Sequence, residues 1–200
     1  MIKNLTELRQ RYPAAKERSV LKQLTHLDPH CICFIGLSPF VVLASSGNNG
    51  HLDTSPRGGP AGFVRVADSH TLLLPDSPGN NRLDTLENVV ATGELGLLFM
   101  IPGVDETLRV NGAAQLRDEA TLLESFRDEK RRPRLVIEIK VREAYLHCAK
   151  AMMRSKLWDG ASKVNRSVLP TMGQMLSDQT GTSAVPETQE QMIARYTLDL

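Results

Sequence analysis

The stretch Gly96–Leu116, GLLFMIPGVDETLRVNGAAQL, decides the fold class. Gly96–Ile101 and Thr107–Leu116 are short and apolar and read as strands, joined by a turn at Pro102–Gly103. Further on, Leu135–Leu146 alternates with period two: Val136, Ile137, Ile139, Val141 and Ala144 stand against Glu138, Lys140, Arg142 and Glu143. Upstream, Phe40–Ser45, Phe63–Val66 and Thr71–Leu74 are short and apolar, and Cys31–Leu37 reads as another strand before the Ser38–Pro39 break. Six or seven short strands with few helices between them predict an antiparallel sheet closed into a barrel. A doubly wound dinucleotide fold needs regular strand–helix alternation and a glycine fingerprint, and neither is present.

Helices are expected at the ends and in two places between strands. Leu5, Leu8 and Tyr12 share one face, with Thr6 as a cap, and Val20, Leu21, Leu24 and Leu27 share another before Asp28–Pro29 breaks the run. Leu83, Leu86, Val89 and Val90 have helical spacing and stop at Gly93, and Asp118–Arg127 is a short amphipathic helix. Ala149–Leu157 and Glu187–Tyr196 complete the set. Residues 1–160 form the barrel domain with its N-terminal helices, and residues 161–200 an extension that packs on the barrel or on a partner subunit.

Composition narrows the function. The 200-residue chain carries 24 basic and 23 acidic residues, a net charge of +1, which disfavours a polybasic nucleic-acid binder. The basic cluster Lys130–Arg134 also lacks aromatic residues on which bases could stack. The hydrophobic fraction of 41% supplies a real core, and a chain of this size buries roughly 70% of its unfolded surface. No apolar run reaches membrane-spanning length, and the first residues carry no secretory signal. The three cysteines cannot all pair within one chain, so reduced thiols and a cytoplasmic location are expected.

Five segments could carry chemistry. Pro78–Arg82 follows a strand and opens a helix; Asn80 or Asn81 can cap that helix, its first-turn N–H groups are unpartnered, and Arg82 adds a full charge. Such a loop suits a phosphate, but from composition alone an ordinary capped helix with a solvated Arg82 is the favoured reading. Asp53–Gly58 lies in a loop spanning Gly47–Gly62 and could bring a second arginine, Arg57, to the same ligand. On Glu106–Gly112 the polar face Thr107, Arg109 and Asn111 could line an interface or a pocket. Cys148 beside Lys150 lacks a properly placed base for covalent catalysis, because His147 would point elsewhere on a strand. In His30–Cys31–Ile32–Cys33 the two thiols would share a strand face, but no second cysteine pair exists, and a buried strand is the better reading than a metal site.

Taken in order, the runs DTSPRGGPAGFVRVADSHTLLLPDSPGNNRLDTLENV, LLFMIPGVDETLRVNGAAQL and AYLHCAKAMMRSKLWD resemble the pyridoxamine 5′-phosphate oxidase-related flavoproteins over roughly Leu27–Asp159, and most closely their bacterial branch of FMN-dependent enzymes. The resemblance implies a mainly β fold with flanking helices, an FMN-binding split β-barrel of Greek-key antiparallel type. It also implies a homodimer with two flavins at the interface. Carried onto this chain, Ser55, Pro56, Arg57 and Gly58 would lie along the flavin and ribityl chain, and Leu74, Pro75 and Asp76 along the neighbouring strand edge. Asn80, Asn81 and Arg82 would hold the phosphate, and Thr107, Arg109 and Asn111 would come from the other subunit. Lys150, Arg154 and Trp158 would close the site near the ring. The implied activity is an FMN-dependent oxidoreductase acting on a small molecule, with a nicotinamide (NADH or NADPH) as one hydride source. The alternative is a non-catalytic protein that binds or senses a flavin, deazaflavin or haem, with His147 and His51 as haem candidates. Two departures stand out: Gly59 occupies the place of a usual acidic residue, and the arginine pattern and C-terminal motif of true pyridoxamine phosphate oxidases are absent. The vitamin B6 reaction is therefore not expected.

Overall fold

In the computed structural model, residues 1–76, 79–127, 132–182 and 185–198 are described. Pro78, Lys130 and Arg131 fall outside them. Seven strands form one antiparallel sheet: β1 (Phe40–Ser46), β2 (Leu52–Gly58), β3 (Arg65–Asp68), β4 (Thr71–Pro75), β5 (Glu94–Met100), β6 (Thr107–Arg117) and β7 (Val136–His147). Their order is β2-β1-β5-β6-β7-β4-β3. The meander β5-β6-β7, with β4 returning beside β7, is a Greek key. The ladder does not close: β2 and β3 are its two ends, so the barrel is split.

Alternation along the strands sets two faces. Val41 and Leu43 of β1, Leu97 and Phe99 of β5, Leu108 and Val110 of β6, and Ile137 and Ile139 of β7 are buried on the inner face. Between Asn111 and Gly112 the register shifts, so that Asn111 opposes Glu143 and Gly112 opposes Val141. This β-bulge absorbs Arg142 and keeps both Val141 and Ala144 buried. Gly112 is required there, because a Cβ would collide with the Lys140 carbonyl.

Helix α4 (Asp84–Thr92) packs Leu86 and Val89 into this core and ends at Gly93 in the left-handed region, φ 67°, as its spacing predicted. Helix α3 (Pro29–Leu37) replaces the strand expected at Cys31–Leu37. The Asp28 carboxylate accepts from the Cys31 N–H at 2.8 Å and Pro29 sits in the first turn, so Asp28–Pro29 starts a helix and does not only end one. Helical spacing separates the two thiols: Cys31 is buried and Cys33 exposed. The loop expected over Gly47–Gly62 is also corrected, since β2 occupies its centre. Pro56 is compatible with that strand because β2 is an edge.

The N-terminal helices are α1 (Leu5–Arg9) and α2 (Glu17–Leu21), and α1 is capped by Asn4, not Thr6. Strands β6 and β7 are bridged by α5 (Ala120–Glu124). After β7 come α6 (Lys150–Ser155), α7 (Met172–Thr180), which the pattern did not reveal, and α8 (Gln189–Thr197). Among the described residues, no helix is long and apolar enough to cross a membrane.

Candidate functional site

The inner face of β2 is polar where that of β1 is apolar. Asp53, Ser55 and Arg57 pair in register with Ser45, Leu43 and Val41 and are half-buried. Arg57 donates to the Ser55 hydroxyl and, at 3.0 Å, to the Pro56 carbonyl. Pro56 and Gly58 are exposed on the other face.

Two further segments bear on this stripe. One is the end of β4, where Leu74 is fully buried, Pro75 closes the strand, and the Asp76 N–H donates to the Leu135 carbonyl at 3.0 Å. Burial pushes the Asp76 carboxyl above the usual carboxylate range, and the guanidinium groups of Arg57 and Arg134 offset part of that push. The Arg57 charge is thus felt at Asp76, although their strands are far apart in the sheet order. With Leu74 buried in the core, that residue can offer a ligand only its backbone.

The other segment is the start of α4. Neither Asn80 nor Asn81 occupies the cap position; Leu83 does, and it makes no side-chain cap hydrogen bond. The Asn80 side chain instead accepts from the Arg82 N–H at 3.0 Å, and Asn81 takes a left-handed φ of 59°. This tight turn swings the chain so that Arg82 Nε lies 2.6 Å from Asp84 Oδ2, with the Arg82 side chain 78% exposed. Asp84, and more weakly Asp53, hold its guanidinium charged. Thr85, only 3% exposed, donates from its hydroxyl to the Asp53 carboxylate and ties α4 to β2. The structure thus ties the start of α4 to the Asp53 end of the β2 stripe through Thr85, and places Arg82 within the field of Asp53 and Asp76 within that of Arg57. A helix N-terminus without a side-chain cap from Leu83 carries a partial positive charge.

The remaining expected residues lie elsewhere. Thr107, Arg109 and Asn111 project from the outer face of β6, opposite to the β2 stripe. Arg109 donates to the Tyr145 hydroxyl at 2.9 Å, and Asn111 donates to Glu143, which also accepts from Gln23. Lys22 reaches the Leu146 carbonyl and lies 5.6 Å from the Tyr145 ring centroid, and His147 stacks against the same ring at 5.2 Å. The His147 Nε2 atom is buried and has no hydrogen-bond partner among the described residues. Burial, then Arg109 and Lys22, hold that imidazole below the usual histidine range. On α6, Lys150 and Arg154 are exposed, with Arg154 Nε donating to the Lys150 carbonyl at 3.1 Å. Trp158 Nε1 donates to the Val104 carbonyl at 2.9 Å and pins the end of that segment to the β5–β6 turn.

Sequence reading missed Asp53 with Thr85, and Glu143 with Tyr145. Asp53 and Thr85 stand on separate elements, and Glu143 and Tyr145 of β7 meet Asn111 and Arg109 of β6, so no local spacing announces these contacts. Gly59 has a steric reason: a Cβ there would lie 2.8 Å from the Phe63 ring carbon Cγ, and Phe63 is itself buried. An acidic side chain at that position would have to displace a core aromatic.

The seven-strand order, the open split and the polar stripe along it define a split-barrel protein. Residues 27–148 match the pyridoxamine 5′-phosphate oxidase family. The chain belongs to that family. No curated protein matches it. Among solved structures it is similar to the HupZ protein of Group A Streptococcus, with 16% identity, coverage of 59% of this chain and 91% of that one, and a TM-score of 0.50. It is likewise similar to a pyridoxamine 5′-phosphate oxidase-like protein of Lactobacillus delbrueckii, with 17% identity, coverage of 62% and 98%, and a TM-score of 0.50. At these identities the likeness concerns the fold alone.

Proposed function

We propose that this protein is a homodimeric FMN-dependent oxidoreductase acting on a small molecule. The observation that carries the reading is the tie of the α4 start to the β2 stripe through Thr85 and Asp53, with Arg82 within the field of Asp53 and Asp76 within that of Arg57. That donor set fits a phosphorylated ring cofactor. Arg82 and the first-turn N–H groups of α4 supply charge-assisted donors to a phosphate. Ser55 and Arg57 line the path between that phosphate end and Asp76. Asp76 offers a carboxyl group that can accept a hydrogen bond from a ring N–H.

Bound FMN would supply the redox chemistry, accepting hydride from a nicotinamide or a substrate. The chain's residues bind, orient and tune. Arg57 offers positive charge where the reduced ring is anionic. Thr107, Arg109 and Asn111 face away from their own chain's stripe, so in this reading they serve the site of a second copy. Lys150, Arg154 and Trp158 close that site from α6 and the segment after it.

The test is an absorbance spectrum of the purified protein before and after adding FMN, with mass spectrometry of any released compound, repeated on Arg82→Ala. Bound FMN is expected, with affinity falling about tenfold or more in the variant while riboflavin affinity is unchanged, since a hydrogen bond to a charged group is lost only with the phosphate. Turnover of an acceptor with NADH or NADPH then separates an enzyme from a flavin store. Absence of flavin uptake would overturn the reading.

A further inference from the structure

Helices α7 and α8 form a hairpin with a specified shape and no core. Gly173 lies flush on the Glu187 backbone, where any Cβ would collide. Arg195 clasps Glu187 through two hydrogen bonds of 3.0 and 2.8 Å. Thr188 and Gln191 form a reciprocal capping box, and Gly181 ends α7 in the left-handed region, φ 66°. Yet neither helix has a buried residue. Each packs mainly on the other, and neither makes a substantial contact with any strand. Isolated helices of nine residues are marginal in water without a buried face.

The apolar face exists but is uncovered. Met172 and Leu176 stand one turn apart on α7, 39% and 49% exposed, and Ile193 and Tyr196 match them on α8. Val168 and Leu169 continue the exposed strip toward Trp158. The chain exposes 13725 Å² in total. A compact monomer of 22.1 kDa would expose about 9300 Å². The excess is about 4400 Å² per chain, well above the roughly 800 Å² that each partner of a standard stable interface buries. The same chain also has an apolar surface in need of a partner: Phe40, Val42, Leu98 and Met100 are only half-buried on the outer sheet face, a face that is ordinarily polar when it meets water.

We infer that residues 160–198 are an exchange arm, whose α7–α8 apolar face docks on a second copy of this chain while the second copy's arm docks in return. Two-fold symmetry then covers both arms with one kind of contact, and the preformed hairpin limits the ordering cost of docking. Trp158, hydrogen-bonded to Val104, is the last fixed point before the arm departs. The inference rests on the homodimer of the preceding section and adds what its tail does.

A photo-reactive p-benzoyl-phenylalanine placed at Leu176 in the full chain tests it, followed by gel mass and peptide mapping. The expected product is a cross-link between two chains. In parallel, Met172→Glu with Leu176→Glu should weaken the dimer at least tenfold by sedimentation, with unchanged circular dichroism of the barrel. Cross-links confined to one chain, a monomer at micromolar concentration, or an unchanged dimer dissociation constant would each overturn the inference. Flavin uptake on the same samples separates the two proposals. A flavin-loaded dimer with only intrachain cross-links sinks the arm and leaves the cofactor reading standing. Interchain cross-links in protein that takes up no flavin do the reverse.

Discussion

Replacing Thr85 with Val tests whether α4 is held to the split by one hydrogen bond. The swap nearly conserves shape and removes only the hydroxyl. Thr85 is 3% exposed, so water cannot easily substitute for it, and its acceptor is the half-buried Asp53 carboxylate. A hydrogen bond to a charged group is worth about 1.5–3 kcal/mol. For a chain of 200 residues the unfolding entropy is about 0.4 kcal/mol/K, so the melting temperature should fall by about 4–7 °C. The second consequence is functional. Asp53 would keep only its electrostatic pull on Arg82 and lose its grip on the helix, so the Asn80–Arg82 turn would shift relative to Ser55 and Arg57. Flavin fluorescence titration should therefore show weaker FMN binding, with the preference for FMN over riboflavin reduced. Thermal unfolding of Asp53→Asn, and of the double variant, closes the thermodynamic cycle and isolates the pair. A fall below about 1 °C, or single-variant losses that simply add, would refute the claim that this bond anchors the helix.

Other outcomes follow from the same geometry. Asp76→Asn should stabilise the flavin-free protein at neutral pH. Burial raises the Asp76 carboxyl, so the folded state keeps that proton to higher pH than the unfolded chain and loses stability as pH rises through the folded value. The advantage of the variant should shrink toward acid pH in urea titrations, and a variant less stable than the parent at pH 7 would contradict this. Gly112→Ala should cost about 1–3 kcal/mol or more and slow-exchanging amides of β6 and β7 should lose protection, because the new methyl meets the Lys140 carbonyl, a backbone atom. A thiol reagent at pH 8 should modify exposed Cys33 and Cys148 but not Cys31, whose thiol is pushed up to about 11 by burial first and Asp28 second; rapid labelling of Cys31 without denaturant would contradict the packing of α3.

What was legible in the chain was what burial writes locally. Strands β5, β6 and β7 alternate because one face of each meets the core, and α4 announces itself by spacing and by the glycine at its end. Cys31–Leu37 misled because its residues are apolar and partly β-branched. The decisive signal stood one step earlier, in an Asp–Pro pair that caps and opens a helix. The β2 segment misled in the opposite direction. Its glycines, proline and hydroxyls read as loop, and only the register with β1 makes it a strand. The site was legible in parts. The arginines and the turn stood out by composition, whereas the Asp53–Thr85 tie and the pull of Arg57 on Asp76 depend on how the fold arranges distant segments.

The same polar stripe that defines the site also explains why the barrel stays open. A closed barrel of this size fills its interior with side chains, and β1 contributes Val41 and Leu43 to that filling. Its neighbour β2 presents Arg57, Ser55 and Asp53 to the same side. Pressing these against an apolar interior would strip water from two charges at a cost of several kcal/mol each unless they found partners. The chain supplies the partners from α4 and from β2 itself: Thr85 donates to Asp53, and Ser55 accepts from Arg57. Those contacts hold the edge in place without hydrogen-bonding it into the next strand. A polar cleft therefore follows from the sequence of one edge strand. Replacing Asp53, Ser55 and Arg57 by apolar residues would remove both the cleft's donors and the reason it stays open.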